Sequence, residues 1–225
     1  MSHETYVAFG MLGGMLTAEE IDARRHEARK RELVERILPM VEELLEAAGG
    51  YVHLKVEEIL QNAGLSRSTF YRYFKDKNDL LLALSVPALQ EIRTAALRTW
   101  QLGPDVSFGQ FEAELYRTLE AYRPHVALMS ALVEVSTYDA RVKALFGGFF
   151  EELRAAIADD IRQEQTRGLV RQGLDPDAAA GWITWMAERG MNRLVPSADA
   201  ATRRKLATSM AIIVWHGVYD GAERD

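Results

Sequence analysis

Apolar residues recur at three- and four-residue spacing along most of the chain, and no stretch alternates as a half-buried strand would. Leu33, Ile37, Met40, Val41, Leu44 and Leu45 describe one face of a helix that ends at Gly49-Gly50. Pro39 lies inside it, where proline removes a backbone hydrogen bond and crowds the carbonyl of Glu35, so a bend or break is expected near residues 35–39. Thr17-Ala18-Glu19-Glu20 has capping-box spacing and predicts a helix start running toward Leu38. Val56, Ile59, Leu60 and Ala63 mark a short helix, and Phe70 and Phe74 share a face of the next. After Lys77 the pattern is helical almost throughout. Breaks are expected at Gly103-Pro104, at Arg123-Pro124, near Tyr138-Asp139, from Gly168 to Asp175 and at Pro196-Ser197, with a kink at Pro87. The prediction is an all-α chain of about nine or ten helices. Its expected parts are an N-terminal arm over residues 1–27, flexible over 1–16, a small helical domain over 28–82 and a helical body over 83–225.

The run from Lys55 to Lys77, KVEEILQNAGLSRSTFYRYFKDK, reads as two helices joined by a tight turn. Gly64 supplies a residue with no Cβ where a chain leaving a helix needs a left-handed φ, and Ser66 follows as an N-cap. The apolar positions on either side pack the pair together. Arg67, Ser68, Thr69, Tyr71, Arg72 and Tyr73 then occupy the exposed side of the second helix, offering forked donors, hydroxyls and phenols suited to base edges and phosphates. Lys77, just after the capping Asp76, would flank a helix N-terminus whose free amides also attract phosphate.

Charge sharpens this picture. From Ser66 to Lys77 the cations Arg67, Arg72, Lys75 and Lys77 face one acid, Asp76, in a 225-residue chain whose net charge is −6. Such a total argues against a protein that coats nucleic acid indiscriminately, and fits a small basic reader on an acidic body. Arg24, Arg25, Arg29, Lys30 and Arg31 make the arm basic in places; a solvated helix paired with Glu27 and Glu32 explains them more readily than DNA contact does. No cysteine is present, which excludes disulfides, thiolate metal sites and a cysteine nucleophile and suits a reducing cytoplasm. The first 16 residues lack a basic leader and a long apolar run, so neither signal peptide nor membrane span is expected.

The string AGLSRSTFYRYFKDKNDLL, after an amphipathic helix and before a long helical remainder, resembles the TetR family of one-component transcriptional regulators over about residues 31–82. The resemblance implies a three-helix DNA-binding domain with Arg67, Ser68, Thr69 and Arg72 nearest bases, and Tyr71, Tyr73 and Lys77 on phosphates. Ser66 caps the recognition helix. Where the family usually has Ser or Thr capping the first helix of the motif this chain has Lys55, which either weakens that cap or adds a phosphate contact.

The body carries large apolar residues at helical spacing: Phe111, Leu115 and Tyr122, then Phe146, Phe150 and Leu153, then Trp182, Trp185, Met186 and Trp215. A stripe of this kind is ordinarily core. The C-terminal WMAER, followed by a Trp-containing final helix, is similar to regulators of the EthR type, whose bodies enclose a mainly apolar ligand tunnel. That resemblance implies ligand contacts at Phe111, Leu115, Thr118, Phe146, Phe150, Leu153, Thr184, Ala187 and Trp215, and a hydrophobic effector with few polar groups. It also implies a homodimer through the last two helices, with Ala178, Trp182, Met186 and Arg189 toward the partner and Thr184, Ala187 and Met191 toward the pocket. The combined expectation is a cytoplasmic repressor released from a palindromic double-stranded DNA operator by a hydrophobic small molecule. A helical protein-interaction module that keeps the motif without reading DNA is the alternative.

Enzymatic function is not expected. The five histidines, at 3, 26, 53, 125 and 216, form no HExxH pair, so no metal site is suggested, and no phosphate loop or nucleophile elbow implies a cofactor or a covalent mechanism. Glu151-Glu152 and Asp159-Asp160 point apart on a helix and suit solvated faces.

Overall fold

A computed structural model describes residues 17–103 and 106–219; the flexible arm expected over 1–16 and the break expected at Pro104 lie outside the described residues. Among the described residues the chain forms nine α-helices and one 3-10 turn, with no strand. In chain order these are α1 (Ala18–Ala48), α2 (Val56–Ala63), α3 (Arg67–Tyr73), α4 (Lys77–Trp100), α5 (Phe108–Tyr122), the 3-10 turn Arg123–His125, α6 (Val126–Ser136), α7 (Ala140–Thr166), α8 (Pro176–Leu194) and α9 (Ala200–Val218).

Helix boundaries follow the local chemistry. Thr17 caps α1 reciprocally: Glu20 N–H donates to Thr17 Oγ1 at 3.2 Å, and Thr17 N–H donates to the Glu20 carboxylate at 2.7 Å. The helix stops at Gly49, which takes φ 70°. The break considered near residues 35–39 does not occur, because α1 runs through Pro39 to Ala48. Pro39 and Glu35 are both exposed, so water can satisfy the Glu35 carbonyl, while Leu33, Val34, Ile37, Leu38, Val41 and Leu45 keep an unbroken buried stripe. α4 likewise runs through Pro87. Downstream, Pro124 sits in the 3-10 turn and Asp139 caps α7.

The expected boundaries at residues 28 and 83 both fall inside helices, α1 and α4. One cluster of buried side chains runs from Phe70 and Phe74 through Leu80 and Leu84 to Leu128, Leu132 and Val142, so the motif shares its core with the body. A second cluster, around Trp100, Phe111, Ile161, Ala180 and Trp215, fills the far end. α4 connects them. It is long and apolar enough to span a bilayer by composition, but Leu80, Leu81, Leu84, Ala88, Leu89 and Ile92 are buried in the protein's own core.

Candidate nucleic-acid interface and ligand cavity

The turn between α2 and α3 has the geometry its residues require. Gly64 adopts φ 63°, and the Leu65 N–H donates to Leu60 O at 2.9 Å, closing the end of α2. Ser66 Oγ accepts from Thr69 N–H at 3.1 Å and also shares hydrogen bonds with Ser68 Oγ at 2.8 Å and Thr69 Oγ1 at 2.9 Å. Phe70 and Phe74 are fully buried, with ring centroids 5.4 Å apart. These two rings fix the rotation of α3 about its axis. Arg67, Ser68, Tyr71 and Arg72 consequently stay exposed, and Thr69 is half-buried. Lys55 leaves α2 half-capped: Glu58 accepts the Lys55 N–H at 3.1 Å, but an ammonium has no lone pair to return to the first-turn amides.

Two expected contacts are modified by neighbours. Arg67 is ion-paired with Glu57 on α2, so the expected base contact requires that pair to open. Lys77 is turned inward: its ammonium donates to Tyr51 O at 2.8 Å and Leu54 O at 2.9 Å, and lies 4.2 Å from the Tyr51 ring centroid. The expectation of a side chain free to grip phosphate is corrected accordingly, since two of its three donors bind the loop between α1 and α2. Tyr73 is half-buried, stacked 4.9 Å from His26. That contact seats the N-terminal part of α1 on α3.

The motif is tied to the body at its base. Glu134 on α6 accepts the Tyr51 and Val52 N–H groups at 3.0 Å each. Asn78 donates to Asp139 at 2.9 Å, and Arg141 bridges Asp139 at 2.8 Å and Asp76 at 3.1 Å. Hydrogen bonds from Arg141, then Asn78, hold the Asp139 carboxyl well below the usual carboxylate range.

His125 clamps α1 to α4 behind the motif. Its Nδ1 lies 2.6 Å from Glu42 Oε1 and its Nε2 3.3 Å from Glu91 Oε2. Burial opposes the imidazolium, but hydrogen bonds and charge from Glu42 and then Glu91 outweigh it and raise the pKa. A raised folded pKa adds stability that is complete below the ordinary histidine value of about 6.5 and is lost as pH rises through the folded value. Denaturant unfolding across a pH series is expected to show that loss in the native chain, and His125→Gln to remove this portion of it.

The body contains a cavity of about 70 Å³, room for several water-sized groups. Leu115, Thr118, Phe146, Phe150, Leu153, Thr184 and Ala187 line it. Phe111 and Trp215 do not. They pack with each other at 5.6 Å and with Trp100 and Tyr219 in the far cluster, on helix faces that reach past the cavity. Met191, expected toward the pocket, also lines it, whereas the sequence reading missed, among other walls, Ile92, Ala96, Thr99 and Trp100 of α4, Tyr122 of α5, Met129 of α6, and Glu188 and Asn192 of α8. Glu188 had a signal, since it follows Thr184 by four. Polar wall groups differ in kind: Thr118 Oγ1 donates to Glu114 O at 3.0 Å, whereas the Thr99 and Thr184 hydroxyls are buried without a partner.

Comparison with known proteins agrees with this architecture. The family model for bacterial regulatory proteins, tetR family, matches residues 43–84, and that for the C-terminal domain of the transcriptional regulator EthR matches residues 112–220. The chain belongs to the TetR family. It is a transcriptional regulator of the EthR type with the family's DNA-binding domain at residues 43–84. The HTH-type transcriptional regulator EthR of Mycolicibacterium smegmatis is 25% identical over 155 residues, covering 69% of this chain and 71% of that protein. The nucleoid occlusion factor SlmA of Actinobacillus pleuropneumoniae is 23% identical over 172 residues, covering 74% and 83%. A TetR transcriptional regulator of Chloroflexus aurantiacus shares the fold with TM-score 0.61 at 19% identity, covering 85% of this chain and 98% of that one. SmeT, the repressor of the Stenotrophomonas maltophilia multidrug efflux pump SmeDEF, does so with TM-score 0.64 at 17% identity, covering 85% and 92%.

In this TetR-family chain the outer face of α8 and α9 is unusually apolar for a surface. Trp182 is 79% exposed and Ile213 59%, with Trp185, Met186, Leu194 and Ile212 also open. Ala178 and Arg189 share the exposure, while Thr184, Ala187 and Met191 face the cavity.

Proposed function

We propose that this regulator is a homodimeric repressor that leaves a palindromic operator when a mainly apolar small molecule occupies the body cavity. The observation that carries this reading is the course of α4. Its N-terminal half packs with Phe70 and Phe74 in one core, and its C-terminal half contributes Ile92, Ala96, Thr99 and Trp100 to the cavity wall. A group entering the cavity therefore pushes on the same helix that positions the reader. The apolar α8 and α9 face supplies the dimer contact, since contiguous exposed apolar surface of this kind marks an interaction site. Two-fold symmetry then sets two α3 helices on successive major grooves, about 34 Å apart.

The effector must bind more tightly to the arrangement whose reader spacing does not fit DNA. A coupling of about 1 to 3 kcal/mol lowers operator affinity roughly 5- to 150-fold. The unpartnered hydroxyls of Thr99 and Thr184 favour an apolar ligand carrying one or two hydrogen-bonding atoms. The α4 route is tested by filling the cavity with Ala187→Leu. Operator affinity is expected to stay within about twofold, and release by effector to be lost. Equal release from both proteins refutes the cavity as the effector site. Selection of bound fragments from random DNA checks the palindrome.

A further inference from the structure

The α8 wall of the cavity is not uniformly apolar. Thr184 and Glu188 lie one helical turn apart and both line it, so their side chains share a face. The Glu188 side chain is only 9% exposed. Its nearest cation among the described residues is Arg189 Nε at 4.0 Å, and the Arg189 side chain is 68% exposed, where an ion pair is weak. Tyr122 shares the cavity, and its hydroxyl is raised in pKa first by burial and then by the charge of Glu188, so the two groups are close neighbours. A carboxylate withdrawn from water is costly unless a cation or donors compensate it. Phe146, Phe149, Phe150 and Tyr122 present aromatic rings to the same space, and aromatic faces attract cations.

We propose that Glu188 anchors a positively charged nitrogen, making lipophilic amines the effector class of this regulator. The ammonium sits against the Glu188 carboxylate, with the Thr184 hydroxyl one turn away to accept an N–H. The hydrocarbon or aryl body lies along Phe146 and Phe150. Thr99, across on α4, remains for a second polar atom. This deepens the effector-cavity reading and rests on it.

The test compares 4-phenylbutylamine with 4-phenylbutan-1-ol, which share a skeleton and differ in charge at neutral pH. Both are titrated calorimetrically into the full chain and its Glu188→Gln variant. The amine is expected to bind about tenfold or more tightly than the alcohol to the native chain. Glu188→Gln should erase that preference, weakening the amine far more than the alcohol. If amine and alcohol bind the native chain alike, the anchor is overturned while the cavity reading stands. If neither binds, the cavity reading falls too. The native-chain comparison decides the question even should the variant fail to fold.

Discussion

Phe70→Ala is expected to lower the stability of the chain by about 3 to 5 kcal/mol, the cost of emptying a large buried aromatic site. Phe70 is fully buried and touches Phe74 and Tyr71, with ring centroids 5.4 and 5.1 Å away. α3 has only seven residues and holds its shape by tertiary packing, because isolated helices that short are not stable. The core around Phe70 continues into Leu128, Leu132 and Val142. Unfolding should therefore stay a single transition at a lower denaturant midpoint, with body and motif lost together. A loss below about 1 kcal/mol, or a second transition confined to the motif, would show that α3 is held by other contacts. Natural domains have only about 5 to 15 kcal/mol in total, so operator binding near physiological temperature should fall with stability.

The second large effect concerns the exposed side of α3. Arg72→Ala is expected to cost about 1 to 3 kcal/mol of operator affinity, concentrated at particular base pairs. Arg72 is exposed and has no ion pair among the described residues, so its guanidinium meets DNA without first breaking a contact. Arg67 differs, because the Glu57 pair must open first. An exposed pair is worth about 0 to 1 kcal/mol, so Arg67→Ala should cost less than Arg72→Ala, and Glu57→Gln should tighten binding slightly. Anisotropy titrations with the selected operator and with random DNA at several salt concentrations separate the cases. Equal losses on both DNAs would leave these arginines as phosphate contacts only. Unchanged operator affinity when Arg67 and Arg72 are both replaced by Ala would remove the reader altogether and favour a protein-interaction module.

The helix-turn-helix was legible because its determinants are local. Gly64 with φ 63°, the Ser66 cap and the Phe70 and Phe74 spacing act within one or two helical turns, and each can be read from neighbours in the chain. The helix breaks at Pro124, Asp139 and Asp175 follow the same rule. Pro39 shows where local reasoning overreached. Proline's missing hydrogen bond is real, but the exposed side of α1 lets water replace it, and exposure is a property of the folded body.

The cavity was half legible for a related reason. Periodicity places Thr184, Ala187 and Met191 on one face of α8, and that face does meet the cavity. It gives no information on how far along its axis each helix reaches before another crosses it. Phe111 and Trp215, implied as ligand contacts by the EthR-type resemblance, lie in the far-end core, whereas Trp100, Tyr122 and Glu188 take the wall. Lys77 was likewise read by its place beside a helix N-terminus, and only the fold brings the carbonyls of Tyr51 and Leu54 to its ammonium.

By itself, then, the chain's sequence determined that the protein is helical, where its turns fall and which short helix carries an exposed basic and hydroxyl-rich face, because these depend on residues within about one turn of each other. The tertiary structure decided the continuous core from motif to body, the His125 clamp between Glu42 and Glu91, and the largely covered placement of the Glu188 side chain beside the cavity. Those features join residues far apart in sequence, and their geometry is set by how whole helices pack.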